Sequence, residues 1–465
     1  MTEQPAAEHA SAEHASTELL ALATRVVSQA RSGEDVEAFA IHSISTSVSV
    51  FEQEIEKLSS SQTRGVGVRV VVDGRLGFAS TADLSDEGLS YALAEARSNA
   101  EFATQDVGNV LPDPEPLTAL PGIFLPGLDE VPTARKVELA LALERATTGQ
   151  DGRVRGVDNA AYGDGVTRAA IASSRGVSAS YARTDVYAWV SALARDGEET
   201  QTGLGLTQGR SFDELDIEAA ALEAVRRCTR LLGARKAATA KVPVVFDPLV
   251  TASFLGVLAS PLTAEAAQKG RSLFADKVGQ QVAATTLSLV DDGRLLAGPA
   301  AGPFDDEGVP TRRTELISNG VLQGFLHNTQ TAARSGAGQR STGNASRAGH
   351  KSSPGISPTN LFFDGPTTAA ASIVGGITDG LYVQDVAGIH SGVNPVSGEF
   401  SVGATGMWIR GGELAEPVRE VTVSSTIVDI LTAITLLGDD RRFYPFGGSL
   451  AGATMLIAEM TVGGA

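Results

Sequence analysis

The sequence predicts an α+β chain in two parts, an α+β first half and a β-rich second half. Three observations lead there. In the first half, apolar residues recur at helical spacing behind residues that cap helices. Between those helices run long stretches of alternating apolar and polar residues, with an Asp-Gly turn among them. Beyond residue 241 the chain becomes glycine-rich, with short strand-like runs that favour a closed or strongly curved antiparallel sheet.

The elements follow in order. Residues 1–16 hold AEHAS twice in tandem and no bulky apolar side chain, so a disordered tail is expected there. Ser16 or Thr17 then caps a helix carrying Leu19, Leu20, Leu22, Val26 and Val27, which Gly33 ends. Val36–Ser43 and Ser45–Phe51 alternate, and Glu52–Leu58 prolongs the pattern. Val66–Val72, the Asp73-Gly74 turn and Leu76–Ser80 read as a hairpin. Ser85 caps a helix to about Ala103, and Thr133 starts another that ends near Gly149. Four strand-like runs lie between Val154 and Arg195, with turns read at Gly163-Asp164-Gly165 and Ser174-Arg175-Gly176. Asp216 caps a helix to Leu232, on whose apolar face Cys228 reads as a small core residue. Gly233–Lys241 reads as a linker, giving domains at 17–238 and 239–465. Val242–Phe246 is then a buried strand and Pro248–Ala259 a short helix, with tight turns at Asn319-Gly320 and Gly411-Gly412.

Composition excludes several function classes. The 465 residues suit two or three domains at about 150 residues each. The 37 Lys+Arg against 55 Asp+Glu leave a net charge of −18, so no nucleic-acid partner is expected. A single cysteine forbids an internal disulfide and a thiolate zinc cluster, and fits a reducing compartment. No basic segment precedes an apolar run at the N-terminus. The most apolar stretches, Phe254–Leu262 and Ile427–Leu437, fall short of the ~18–20 residues a bilayer requires. A cytoplasmic location without a membrane partner is expected.

Catalytic motifs are mostly missing. A zinc peptidase of the HExxH or HExxxH type needs two histidines about one helical turn apart with a glutamate between them. None of the six histidines is followed by glutamate, and the closest two, His9 and His14, fall in the tail. His327, His350 and His390 could meet only in space, and His42 lies in a strand. There is no GxSxG elbow and no SxxK. Gly343–Ser352 has the wrong spacing for a phosphate loop, and Gly65-Val66-Gly67 has no following helix. Asp305-Asp306-Glu307 reads as a solvated acidic turn rather than a hard-cation site.

The glycine-rich second half carries a resemblance. Gly380–Gly412 reads GLYVQDVAGIHSGVNPVSGEFSVGATGMWIRGG and is followed by PVREVTVSS. Before it come DDEGVPTRRTELISNGVLQGFLHNTQTAARSG (Asp305–Gly336) and STGNASR (Ser341–Arg347), with RGVGVRVVVDGRLGFASTADLS (Arg64–Ser85) in the first half. These segments resemble the TldD/PmbA family, and GVNPVSGEFSVGA resembles its PmbA branch, also called TldE. The resemblance runs from about residue 17 to the end.

It implies an N-terminal α+β domain with a curved antiparallel sheet and a C-terminal β-barrel-like domain. It further implies a cytosolic heterodimer in which a TldD-type metallopeptidase subunit supplies a zinc site that acts on unfolded or short peptides. Counted back from Gly270–Phe274, the HExxxH position falls on Leu255–Ser260 (LGVLAS). Leu255 and Ser260 stand for the two histidines and Gly256 for the glutamate. The late cysteine ligand corresponds to Tyr444–Ser449 (YPFGGS), which has no cysteine. The resemblance therefore implies a pseudoenzyme with no catalytic residue, metal ligand or cofactor of its own, zinc being expected in the partner. Gly392, Asn394, Gly398, Phe400 and Ser401 are expected to shape the peptide or partner surface, with turn geometry and core packing as their plainer role. Two alternatives stay open. One is an autonomous peptidase or hydrolase using His327, His350 and His390 or Ser352-Ser353; the other is a non-enzymatic peptide-binding scaffold.

Overall fold

The computed structural model describes residues 4–444 and 448–464, with side chains from Ser16 onward. Helix α1 spans Gln4–Val27. It reaches back through the AEHAS repeat, where a disordered tail was expected. Alanine is the strongest helix former, and Pro5 falls in the first turn, where its missing N–H costs nothing.

Strands β1 (Asp35–Phe51) and β2 (Glu54–Val72) form one long hairpin that turns at Glu52-Gln53. Strand β3 (Arg75–Thr81) follows the expected turn, with φ of 49° at Asp73 and 72° at Gly74. Helix α2 (Asp86–Phe102) is capped by Ser85, whose hydroxyl accepts from the Gly88 N–H. After α3 (Thr133–Gly149) come β4 (Val154–Ser173), β5 (Ser178–Asp196) and β6 (Glu199–Gly209). The four short runs expected there are two long strands. Gly163-Asp164-Gly165 is not a turn but mid-strand, paired with Tyr187, Val186 and Asp185. Helix α4 (Ile217–Thr229) is capped by Asp216 as expected and ends before Leu232.

The six strands make one antiparallel sheet in the order β3-β2-β1-β4-β5-β6. Helices cover one face. Leu19, Leu22 and Val26 of α1 and Leu89 and Leu93 of α2 pack on Val66, Val68 and Val70. Leu143 of α3 and Ala221 and Ala224 of α4 pack on Tyr162, Val190 and Val48. The opposite face has two parts: Phe39, Ile171 and Tyr181 pack on Phe304 of the second half, whereas Ser45 and Ser47 of β1 lie across from Gly165 and Gly163 of β4.

Helix α4 sits close on β6 because Gly203 and Gly205 have no side chain. A Cβ at Gly205 would stand 1.8 Å from the Ala220 carbonyl oxygen. Gly205→Ala is expected to lift the helix and cost about 1–3 kcal/mol. A lowered denaturant midpoint checks this, and an unchanged midpoint would refute the contact.

Strand β7 (Ala240–Phe246) opens the second half and belongs to a closed barrel. It pairs with Asp379–Ala387 on one side and Met455–Gly463 on the other, and Glu399–Arg410 and Glu413–Thr426 complete the ring. A second sheet holds Arg313–Ser318, Ser288–Asp292, Asn360–Asp364 and Ser449–Gly452 among its strands. Helix α5 (Pro248–Ala259) shares one core with both, burying Phe254, Leu255 and Leu258. The turns at Asn319-Gly320 and Gly411-Gly412 have the positive φ their residues suggest. Among the described residues no helix is long and apolar enough to cross a membrane.

Candidate functional site

The site begins at α5, where the resemblance puts the metal motif. Asp247 anchors this helix by accepting the Leu249 N–H at 3.0 Å. The same carboxylate takes both bonds from Arg227 Nη1 at 2.9 Å and the Tyr382 hydroxyl at 2.6 Å. Arg227 Nη2 donates to the Gln384 carbonyl at 2.8 Å, so α4, α5 and the barrel meet in one buried cluster. On α5 itself Leu255 is fully buried, while Gly256 and Ser260 are exposed. An isobutyl group, a glycine and a helix-end hydroxyl offer none of the imidazole or thiolate donors that zinc takes up. Among the described residues no three His, Cys, Asp or Glu are grouped to hold a metal ion. The residues at this position do not fit zinc. At the other implied ligand stretch, Pro445–Gly447 lies outside the described residues, and the Ser449 hydroxyl donates to Asn360 Oδ1 at 2.6 Å.

The histidines are dispersed. His42 Nε2 on β1 lies 2.6 Å from Gln62 Nε2. His390 is exposed in the short helix Ile389–Gly392. The His350 ring is buried in a notch over β2. A Cβ at Gly65 would stand 2.3 Å from His350 Nε2, and one at Gly67 2.4 Å from the His350 carbonyl oxygen. That gives Gly65-Val66-Gly67 a packing role. His327 is buried with Nδ1 unpartnered.

Burial pushes the His327 ring down to about 4. A histidine depressed in the folded chain binds fewer protons there than when unfolded. Its contribution is therefore whole above about 6.5 and is lost as pH falls toward 4. Asp291, pushed up to about 6 by burial, acts oppositely between that value and its ordinary 3.8. His327→Gln is therefore expected to flatten the acid loss of urea stability relative to the parent chain. An identical slope would contradict this.

The acidic triplet is not a solvated turn. Asp305 and Glu307 are 6% and 1% exposed. Glu307 Oε1 accepts from Arg69 Nη1 at 2.9 Å and Oε2 from the Thr329 N–H at 2.8 Å. Asp305 accepts the N–H groups of Ala345, Glu307 and Val309, and burial and the Glu307 charge push its carboxyl up. Arg347 of STGNASR donates to the Asp306 carbonyl at 3.0 Å and to Glu37 of β1. These motifs fasten the second half to the sheet. Composition alone could not separate such a buried lattice from a surface turn. Cys228 is core, as expected, its thiol pushed up to about 11 by burial.

Between the open sheet face and the second half lies a cavity of about 650 Å³. Its floor is Arg183, Asp185 and Tyr187 of β5, and its roof is the loop around Leu296–Ala300 with Gly448 and Ser449. Arg210 ties floor to roof, donating to the carbonyls of Thr184 at 3.0 Å and Gly298 at 2.7 Å. The Gly-Asp-Gly that reads as a turn in sequence makes room here. A Cβ at Gly163 would stand 2.5 Å from Tyr187 Cζ, and one at Gly165 3.1 Å from Asp185 Oδ2.

The residues expected at a peptide or partner surface sit together in one turn. Gly392 lies against the barrel, where a Cβ would stand 1.9 Å from the Ser401 carbonyl oxygen. Asn394 Oδ1 accepts the N–H groups of Val396 and Ser397, and Gly398 has φ of 82°. Ser401 is exposed and Val396 is 52% exposed. The Phe400 side chain is not on this surface: it is 2% exposed, with its ring edge-on to Phe254 at 5.7 Å. Strand alternation turns Phe400 inward as it turns Ser401 outward.

Comparison with known proteins agrees along the chain. Residues 36–100, 126–232 and 239–464 match domain 1, the central domain and the C-terminal domain of the PmbA/TldA metallopeptidases. Metalloprotease PmbA of Escherichia coli O157:H7 is 26% identical over 420 residues, 90% of each chain. The PmbA homolog of Haemophilus influenzae is 28% identical over 85% of each, and a TldD homolog of Buchnera aphidicola is 24% identical over 81% of this chain and 80% of its own. A proposed modulator of a DNA gyrase from Thermotoga maritima superposes with a TM-score of 0.85 at 25% identity, covering 97% of this chain and 99% of the other. TldE from Thermococcus kodakarensis shares the fold, with a TM-score of 0.87 at 22% identity over 96% and 99%. The chain belongs to the PmbA/TldD metallopeptidase family.

Proposed function

We propose that the chain is the non-catalytic, PmbA/TldE-type subunit of a cytoplasmic heterodimeric peptidase. A TldD-type partner supplies the zinc site, and this chain builds part of the chamber that receives unfolded or short peptides. The observation that carries the reading is at α5: Leu255, Gly256 and the C-cap Ser260, where the resemblance puts two ligands and a base, can perform neither role. Relatives named for both PmbA and TldD support the pairing.

The serine- and glycine-lined part of the sheet face supports the peptide role. Its serines and glycines leave space and hydrogen-bonding groups without a sequence-specific pocket. Among the described residues strand β2 has an outer neighbour only from Val66 onward, because β3 pairs with Val66–Val72. Its Glu54–Gly65 stretch thus offers a free ladder to which an extended peptide can add as a strand. Gly392, Asn394, Gly398 and Ser401, with exposed Val396 between them, shape the surface that meets the partner.

The test is co-expression with a TldD-type subunit. The two chains are expected to co-purify, and cleavage of an unfolded peptide is expected to need both. Failure to co-purify, together with unchanged cleavage by the partner alone, would favour the scaffold reading instead.

A further inference from the structure

The cavity between β5 and the Leu296–Ala300 loop holds two charged side chains that no hydrogen bond or close ion pair ties down. Arg183 and Asp185 both line it. Neither side chain makes a hydrogen bond or close ion pair with another described residue, although Arg183 and Arg210 act on Asp185 through space, and Arg183 Nε is buried without a partner. The neighbouring charges are occupied. Arg210 spends its guanidinium on backbone carbonyls, and Glu214 accepts the Arg210 N–H at 2.9 Å and the Ser211 hydroxyl at 3.2 Å. Arg183 and Asp185 offset each other only in part, since burial still raises the Asp185 carboxyl, and a ligand that brings an opposite charge to each relieves both.

Their spacing limits the ligand. Arg183 and Asp185 are two apart on one strand face, so their Cα atoms are separated by roughly 6.6 Å at ~3.3 Å per residue. An extended peptide advances about 3.3–3.6 Å per residue, so two or three residues carry an ammonium and a carboxylate across that span. The volume of about 650 Å³ is ample for such a ligand. The site is also built to be clear. Gly165 directly beneath Asp185 leaves its carboxylate uncrowded, and Gly163 does the same for the Tyr187 ring. The roof is fixed, since Asn360 Oδ1 accepts the Ala300 N–H at 3.1 Å and Arg210 holds Gly298.

We propose that this cavity binds a short peptide with both ends free, its ammonium on Asp185 and its carboxylate on Arg183. The choice of a peptide over another zwitterion rests on the peptide-handling reading above; the binding itself needs no partner subunit.

Calorimetric titration of the full chain with trialanine, N-acetyl-trialanine and trialanine amide tests it. Trialanine is expected to bind once per chain, and blocking either end to weaken binding by about tenfold or more. Asp185→Asn is expected to abolish the preference for a free amino end while keeping that for a free carboxylate, and Arg183→Gln the reverse. Equal binding of free and blocked peptides, or no binding of trialanine, would overturn the proposal. The three-peptide comparison on the parent chain needs no variant. Because no TldD-type subunit is present, its outcome is separate from that of the partner experiment.

Discussion

Replacing Glu37 with alanine is expected to destabilise the chain by about 3–5 kcal/mol, the range for breaking a buried ion pair from one side. Glu37 is 0% exposed and accepts from Arg69 Nε at 2.9 Å, from Arg69 Nη2 and from Arg347 Nη2. Burial alone would raise its carboxyl, but the two guanidiniums outweigh that and hold it below the ordinary range. Removing it strips Arg347 of its carboxylate and leaves Arg69 with Glu307 alone where the sheet meets the second half. Arg410→Ala is the contrast, since Arg410 and Asp379 pair in the open and such pairs are worth about 0–1 kcal/mol. Thermal and urea unfolding of both variants checks this. A Glu37→Ala loss no larger than that of Arg410→Ala would contradict the structural role given to the cluster.

Asp247→Ala is expected to have a comparable effect by a different route. It removes the cap of α5, the partner of Arg227 and the acceptor of the Tyr382 hydroxyl together. Arg227 is then left buried with only the distant Glu223 carboxylate, at 3.9 Å, and the Gln384 carbonyl, at a cost of about 3–5 kcal/mol. Asp247→Asn keeps a capping oxygen but not the charge. It should lose most of the same stability, because the cap alone is worth about 0.5–2 kcal/mol. If Asp247→Asn is as stable as the parent chain, the cap and not the ion pair positions α5.

Much of the fold is legible in the sequence because local rules agree with the global outcome. Ser85 and Asp216 cap helices where side-chain oxygens precede apolar periodicity. Asp73-Gly74 and Asn319-Gly320 turn where positive φ is needed. The misreadings have a common cause. Gly163-Asp164-Gly165 has the composition of a turn, but its glycines make room for side chains on the neighbouring strand. Asp305-Asp306-Glu307 has the composition of a surface, but its partners Arg69, Ala345 and Arg347 lie far away in sequence. Likewise, Arg183 and Asp185 acquire meaning only when a loop more than 100 residues later closes over them. Long-range partnership does not show in local pattern. That Leu255–Ser260 holds no histidine is legible directly, because it concerns composition and needs no distant partner.

The central claim is that this chain is the half of a peptidase without the metal. The most direct measurement is the zinc content of the purified chain, taken with cleavage of an unfolded peptide by that chain alone. The account predicts substoichiometric zinc and no chelator-sensitive cleavage until a TldD-type subunit is added. Stoichiometric zinc with chelator-sensitive cleavage by the chain on its own would contradict it.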